Sequence, residues 1–313
     1  MNLPALPSPV PGSRLRGVLA TLFLTIGPVL AAPATAAEPA AGPSYPLTLT
    51  RGSWLMVDAR INGHPVQALL DSAAESTLID RKAAVKLQVM GGTTVTGQGS
   101  GAENFAAAEV KGVTLQAFGL TLKDQTVAVV DLGDVGRRLL GHPLDVVLGR
   151  EIFDAARLRI DIDGKRITVI GRDPKQAPCG VELALVTENG IETVPVRIED
   201  HETVRATFDL GNGSETLIGS KLADKLHLLS DGRPSKVSAG GGLGGELQRT
   251  VVTLRTLDIG GQRLTDLPAA IDTRPSASDV NIGIEVLRHF LITTDFAQHV
   301  VWLEPRVKSL GVM

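Results

Sequence analysis

Cysteine, aromatic residues and an excess of charge of either sign are all scarce in this chain. A single cysteine, Cys179, excludes an intramolecular disulfide, so the fold must rest on its core. Cys179 itself reads as a small, partly buried apolar residue. Aromatics make up 3% of the residues and the formal net charge is −3, with no basic block. That leaves neither a stacking platform nor an electrostatic footprint for nucleic acid. The six histidines, His64, His142, His201, His227, His289 and His299, lack metal-ligand spacing such as H-E-x-x-H, and no G-x-S-x-G elbow is present. No metal, no cofactor and no nucleophilic serine is therefore expected.

Long apolar runs are absent too, apart from "GVLATLFLTIGPVL" at 17–30. Arg14 and Arg16 precede it and "ATA" at 34–36 offers small residues for cleavage, so residues 1–36 read as a secretory signal peptide. The alternative is an uncleaved anchor, but a run of 14 residues broken by Gly27 and Pro28 falls short of the roughly 20 that a span needs. The mature chain is expected to be exported, to the periplasm or beyond, with no membrane segment. Residues 37–45 read as a disordered or pro-segment.

What the chain does have is an internal echo. "ALLDSAAESTLIDRKAAVKL" carries Asp71 at the end of an apolar run, and "RATFDLGNGSETLIGSKLADKL" carries Asp209 in the same place. Thr77-Leu78-Ile79 matches Thr216-Leu217-Ile218 after one extra residue in the second turn. Downstream, "DVVLGREIFDAARLRIDIDGKRITVI" (145–170) matches "DVNIGIEVLRHFLITTDFAQHVVWLE" (279–304), pairing Gly149 with Gly283 and Asp161 with Asp295.

Both halves are rich in β-branched runs broken by Gly, Asn and Asp, which predicts strands. Short helices are expected at "RKAAVKL" and "SKLADKL", with one-turn pieces after Gly149 and Gly283. The stretch "GRDPKQAPCG" (171–180) reads as a connector. The expectation is an all-β protein of two homologous lobes, 46–172 and 180–306, joined by a linker at 173–179 and followed by a tail at 307–313.

An aspartate at a strand end is ordinarily a turn residue. Two of them on matched turns, each followed by a matched glycine strand, suggest chemistry instead. Carboxyls brought to about 3 Å cannot both ionise, so they share a proton and work as base and acid together. Small residues beside each aspartate leave room for the turns to meet.

Here the residues carry a resemblance. "LLDSAAESTLID" resembles the Asp-Thr/Ser-Gly-Ala signature of aspartyl proteases, and "VVLGREIF" and "VNIGIEVL" resemble their downstream apolar-apolar-Gly pattern. The plan is similar to that of the bacterial retropepsin-like aspartyl proteases, in a form with two lobes on one chain. The resemblance implies two acid-protease β-barrels and Asp71 and Asp209 as a catalytic dyad that activates water to hydrolyse peptide bonds. It also implies dyad-loop support from Ser72, Ala73 and Ala74 on one turn and Leu210, Gly211 and Asn212 on the other, with Gly149 and Gly283 as ψ-strand glycines. Two departures stand out. Ala73 replaces the usual glycine, and Leu210 replaces the usual hydroxyl residue, so the second turn lacks the side chain that bonds across the lobe interface.

Glycine-rich segments at 91–103 and 238–246 lie where such lobes carry flaps, making Gly97, Gly99, Gly101, Gly240, Gly241 and Gly242 flap candidates. Gly240, Gly242 and Gly245 also satisfy G-x-G-x-x-G, but the segment continues as strand and opens no helix. The expected partner is a peptide or protein substrate, met by a monomer with an internal pseudo-two-fold. The rival reading is a catalytically weakened peptide-binding or scaffold protein of the same fold, motivated by Ala73 and Leu210.

Overall fold

The computed structural model describes residues 42–173 and 177–306. The signal-peptide segment, residues 174–176 of the expected linker and the expected tail at 307–313 lie outside the described residues. Within them the chain is mainly strand. In the first lobe the strands Trp54–Ile61, His64–Leu70, Val146–Leu148, Leu78–Asp80, Leu120–Val130 and Phe105–Ala117 pair in that order. The first and last then pair with each other, so the sheet closes into a barrel.

The second lobe repeats this order and the sense of every pairing. Its strands are Ile191–Ile198, Thr203–Phe208, Val280–Ile282, Thr216–Gly219, Gln262–Asp272 and Leu247–Ile259. Alternation of burial fixes each register: Trp54–Ile61, for example, turns Val57, Ala59 and Ile61 inward while Asp58 and Arg60 face solvent. The helices Arg81–Lys86 and Ser220–Lys225 follow equivalent strands. Asp80 caps the first, accepting from the N–H groups of Lys82 and Ala83 at 2.8 and 3.3 Å, which satisfies donors that a helix start leaves open.

A third sheet joins the lobes. Strands Val181–Ala184, Val300–Pro305 and Phe290–Asp295 of the second lobe run on into Arg157–Asp161, Arg166–Ile170 and Ser44–Thr50 of the first. At the seam Ile292 pairs with Ile160, Thr293 with Arg159 and Thr294 with Leu158. In the repeat alignment Leu158 corresponds to Ile292, Arg159 to Thr293 and Ile160 to Thr294. Equivalent positions therefore cross each other, and a pseudo-two-fold axis passes between Arg159 and Thr293. Ser44 and Tyr45, expected to belong to a disordered or pro-segment, are instead part of this sheet, paired with Thr168 and Ile167.

Ion pairs obey the same symmetry. Arg172 bonds Asp295 at 2.9 Å across the seam, and its counterpart Arg306 bonds Asp161. Arg157 adds a second guanidinium to Asp295 at 3.0 Å, with Arg157 8% and Asp295 0% exposed. Phe153 of the first lobe stacks on Phe296 of the second, ring centroids 5.0 Å apart, and Phe208 meets Phe296 edge-on.

A buried carboxylate between two guanidiniums is costly to break, because removing one partner strands the others in a dry site. Asp295→Ala should destabilise the protein by about 3–5 kcal/mol in denaturant unfolding. Lys225→Ala, which removes the exposed pair with Glu202, should change stability by less than about 1 kcal/mol.

Candidate active site

Each aspartate stands where a barrel strand runs into a tight turn, and the turns are built alike. The N–H of Asp71 donates to Leu148 O at 3.0 Å, and that of Asp209 to Ile282 O at 3.1 Å. Each carboxylate then accepts from the amide two residues on: Ala73 N–H to Asp71 Oδ1 at 2.8 Å and Gly211 N–H to Asp209 Oδ1 at 2.9 Å. Further along, Arg150 N–H reaches Ala74 O and Ile284 N–H reaches Asn212 O, tying each turn to the helix that follows the ψ-strand glycine.

The two turns meet face to face. Ser72 Oγ donates to Phe208 O at 2.7 Å and accepts from Leu210 N–H at 2.9 Å. Leu210 contributes no side chain to this contact, as its lack of a hydroxyl requires; its backbone amide makes the bond instead, while the side chain lies fully buried in the core. One hydroxyl serves both sides. Ala73 is accommodated because its φ is not positive, so the methyl meets no backbone strain. Gly211 is needed for space: a Cβ there would overlap the Asp71 carboxyl. Gly149 and Gly283 likewise press against the backbone of Ser76 and Asn212, where a Cβ would collide.

The Asp71 carboxyl lies against Gly211 of the opposite turn, and the buried carboxyls of Asp71 and Asp209 are close enough to shift each other's titration. Burial pushes Asp71 up to about 8, the neighbouring charge of Asp209 adding to the rise and the amides of Ala73 and Ala74 opposing it. Burial also raises Asp209, held back first by Asn281 and then by the amides of Gly211 and Asn212. Both carboxyls are thus held above the ordinary range, and two buried carboxyls this close share one proton.

Asn281 went unnoticed in the sequence. It sits in the ψ strand of the second lobe, and its Nδ2 donates to Asp209 Oδ2 at 2.7 Å. Its counterpart in the first lobe is Val147, since Leu69 pairs with Val147 as Thr207 pairs with Asn281. The only signal for it in the sequence is a polar residue interrupting "VNI" where the first repeat reads "VVL".

Above the dyad lies a cleft of about 1480 Å³ lined by both lobes. The candidate flap glycines flank it. Gly97 and Gly240 end the strands Thr93–Gly97 and Ser235–Gly240, and Gly99, Gly101, Gly241 and Gly242 lie in the loops that follow. These loops touch: Gly101 N–H donates to Leu243 O at 2.8 Å and Glu103 N–H to Gly244 O at 2.9 Å. Arginines of the opposite lobe hold each loop. Arg138 donates to Gly241 O at 2.6 Å and Gly242 O at 3.0 Å, while Arg249 donates to Ser100 O at 2.9 Å and Arg274 to Gly99 O. Among the described residues, no cluster of three or more His, Cys, Asp or Glu side chains is arranged to hold a metal ion. No described helix is long and apolar enough to cross a membrane.

The profile of the aspartyl protease family matches residues 57–152 and, a second time, 194–286. The two matches fall one on each barrel and together cover more than half of the chain. The chain belongs to the aspartyl protease family. No curated protein matches it closely enough to add a relative.

A shared proton has a stability consequence. In the unfolded chain both carboxyls ionise in the ordinary range, whereas the folded pair keeps one proton until about pH 8. The folded state thus binds more protons between about pH 4 and 8, and the pair's contribution to stability falls as pH rises through that window. Asp71→Asn, which cannot ionise, should melt at the same temperature as wild type near pH 4 and at a higher one above pH 8. Melting curves across that range that stay parallel for the two proteins would contradict the shared proton.

Proposed function

We propose that the protein is an aspartic endopeptidase in which Asp71 and Asp209 activate a water for attack on a peptide bond. The observation that carries this reading is the pair of buried, mutually coupled carboxyls on matched turns, lining a cleft roofed by two loops. The ionised carboxyl takes a proton from the water while the protonated one gives its proton to the substrate carbonyl oxygen, producing a neutral gem-diol. The proton held by the first carboxyl then passes to the leaving nitrogen. The second carboxyl recovers its own proton from a gem-diol hydroxyl as the C–N bond breaks, and the dyad returns to its starting state.

In this reading loops 91–103 and 238–246 act as paired flaps. Their mutual hydrogen bonds and cross-lobe arginine contacts close the roof, and admission of a peptide requires those bonds to open. Glycine at 99 and 101 fits that role, because a Cβ at either position would overlap the opposite loop at Leu243 or Gly244. The lobes work as an internal dimer on one chain, and export through the N-terminal segment would place the enzyme in the periplasm or outside the cell.

Asp71→Asn and Asp209→Asn should each abolish cleavage of an unstructured peptide, by at least about a thousandfold, without loss of the fold. Rate against pH should be bell-shaped, with the alkaline limb near pH 8 where the shared proton leaves. Ser72→Ala, which removes both cross-lobe bonds of the turns, should lower kcat by about tenfold or more, one to two such bonds' worth. A wild-type protein that hydrolyses nothing between pH 3 and 8, yet binds peptides equally well with either aspartate replaced, would make it a peptide-binding protein of the same fold instead.

A further inference from the structure

The two halves of the dyad are alike in backbone and unlike in one neighbour. Beside Asp209 the ψ strand presents an amide, Asn281. Beside Asp71 the same position presents Val147, which has no donor. We propose that Asn281 is a positioning residue that makes the dyad asymmetric, holding Asp209 as the ionised base and leaving Asp71 as the proton donor. The inference rests on the peptidase reading for its catalytic meaning, though not for the hydrogen bond itself.

The orientation of the Asn281 amide does not depend on telling nitrogen from oxygen in a single side chain. It is fixed by a chain that begins at a backbone donor. Ser214 N–H donates to Asn212 Oδ1 at 2.9 Å, and a backbone N–H can only donate. Asn212 must then turn its Nδ2 away, and that group donates to Glu215 O at 3.2 Å and to Asn281 Oδ1 at 2.8 Å. Asn281 therefore presents its own Nδ2 to Asp209 Oδ2, at 2.7 Å. An N–H donor at that distance stabilises a carboxylate and is compatible with no proton on that oxygen. With Gly211 N–H on Oδ1, both oxygens of Asp209 accept a hydrogen bond from a neutral donor. Asp71 accepts from the amides of Ala73 and Ala74 and, among the described residues, from no side-chain amide of this kind.

The first lobe does not contain this relay. Ala74 stands where Asn212 stands and Val147 where Asn281 stands, so neither the amide nor the group that orients it exists there. Two other charged groups that line the cleft are committed elsewhere. Glu151, which follows the first-lobe ψ strand, accepts from Thr77 N–H at 2.9 Å and from its hydroxyl at 3.0 Å. Arg205, at the edge of the second-lobe wall, bonds Thr193. Asp71 is the titratable group that acts on Asp209, and Asn281, Gly211 and Asn212 act on it as neutral donors.

In the peptidase cycle this gives each carboxyl one task. Asp209 Oδ takes the proton from water as the water oxygen bonds the substrate carbonyl carbon. Asp71 passes its proton to the carbonyl oxygen. In the second step Asp209 returns its proton to the amide nitrogen, the C–N bond breaks, and Asp71 takes back a proton from a gem-diol hydroxyl.

The test is Asn281→Val, which installs the residue that the same backbone position already carries in the first lobe, with Asn212→Ala as a second variant that leaves Asn281 in place but unoriented. Two readouts are needed, the pH dependence of kcat/KM on an unstructured peptide and the carboxyl 13C titration of Asp71 and Asp209, assigned with Asp71→Asn and Asp209→Asn. Losing the donor destabilises the singly ionised pair against the doubly protonated one. The acidic limb and the lower titration step should therefore move up by about one to two pH units in Asn281→Val, and in the same direction by less in Asn212→Ala. The alkaline limb near pH 8 should stay in place, because the charge on Asp209 is present on both sides of that step. A lower step unmoved in both variants, with melting temperatures unchanged, overturns the proposal and leaves the peptidase reading standing. A lower step that moves as expected in a protein that cleaves no peptide upholds the role of Asn281 and overturns the peptidase reading.

Discussion

Two carboxyls that repel each other when ionised are held within hydrogen-bonding reach, and the rest of the molecule is arranged to make that proximity possible. Left to solvent, Asp71 and Asp209 would separate and ionise independently. What prevents it is a frame of backbone bonds around each turn and one hydroxyl between them. Ser72 Oγ donates to Phe208 O and accepts from Leu210 N–H, so the residues on both sides of Asp209 are anchored to the residue after Asp71. Because that hydroxyl has one proton and spare lone pairs, it can do both, and no second hydroxyl is required from position 210. A leucine there is free to fill the core instead.

The frame holds only if the lobes cannot drift, and that is the role of the sheet beneath the dyad. Its seam pairs each strand with its own repeat partner about Arg159 and Thr293. The symmetry that brings Asp71 opposite Asp209 is thus set by backbone register far from the carboxyls. Crossed pairs between Arg172 and Asp295 and between Arg306 and Asp161 are related by the same axis. Together with the Phe153–Phe296 stack, they join the two barrels into one compact unit.

The sequence made the duplication readable because its markers are positions where the backbone tolerates little. Asp71 and Asp209 end strands, Gly149 and Gly283 press on the turns, and the hydrophobic periods between them are those of strands. Two closed barrels in one chain followed from those markers. The interlobe sheet was not visible, since nothing local distinguishes a strand that pairs with its own lobe from one that pairs with the other. The first residues of the strand Ser44–Thr50 were missed for the same reason: Ser44 and Tyr45 read as the end of a pro-segment, and their partners Thr168 and Ile167 are distant in sequence, whereas Leu47–Thr50 pairs with the neighbouring strand. Helical turns at Gly133–Val135 and Gly136–Leu140 also escaped, because the second repeat has no counterpart to suggest them. Asn281 was passed over because an asparagine inside a three-residue strand has meaning only once the carboxylate across from it is known.

The lobes diverge mainly where side chains face the cleft. Leu69, Ala107, Leu132 and Val147 line the first-lobe side, and the second lobe carries Thr207, Arg249, Arg274 and Asn281 at the corresponding positions. Behind them Val130 is answered by Asp272, which bonds Arg274 and sits 3.5 Å from Arg249. The turns resist such divergence because they use main-chain N–H groups and a carboxyl, which few residue types can supply. The walls do not, because a strand face accepts any side chain that its neighbours can pack or satisfy. A duplicated fold can in this way keep a symmetric pair of carboxyls while surrounding them with unequal chemistry. At these four positions the second lobe brings the amide that meets Asp209 and the arginines that hold the first-lobe loop, where the first lobe has apolar side chains. The difference between Asn281 and Val147 beside the carboxyls is thus one of several such exchanges at equivalent positions facing the cleft.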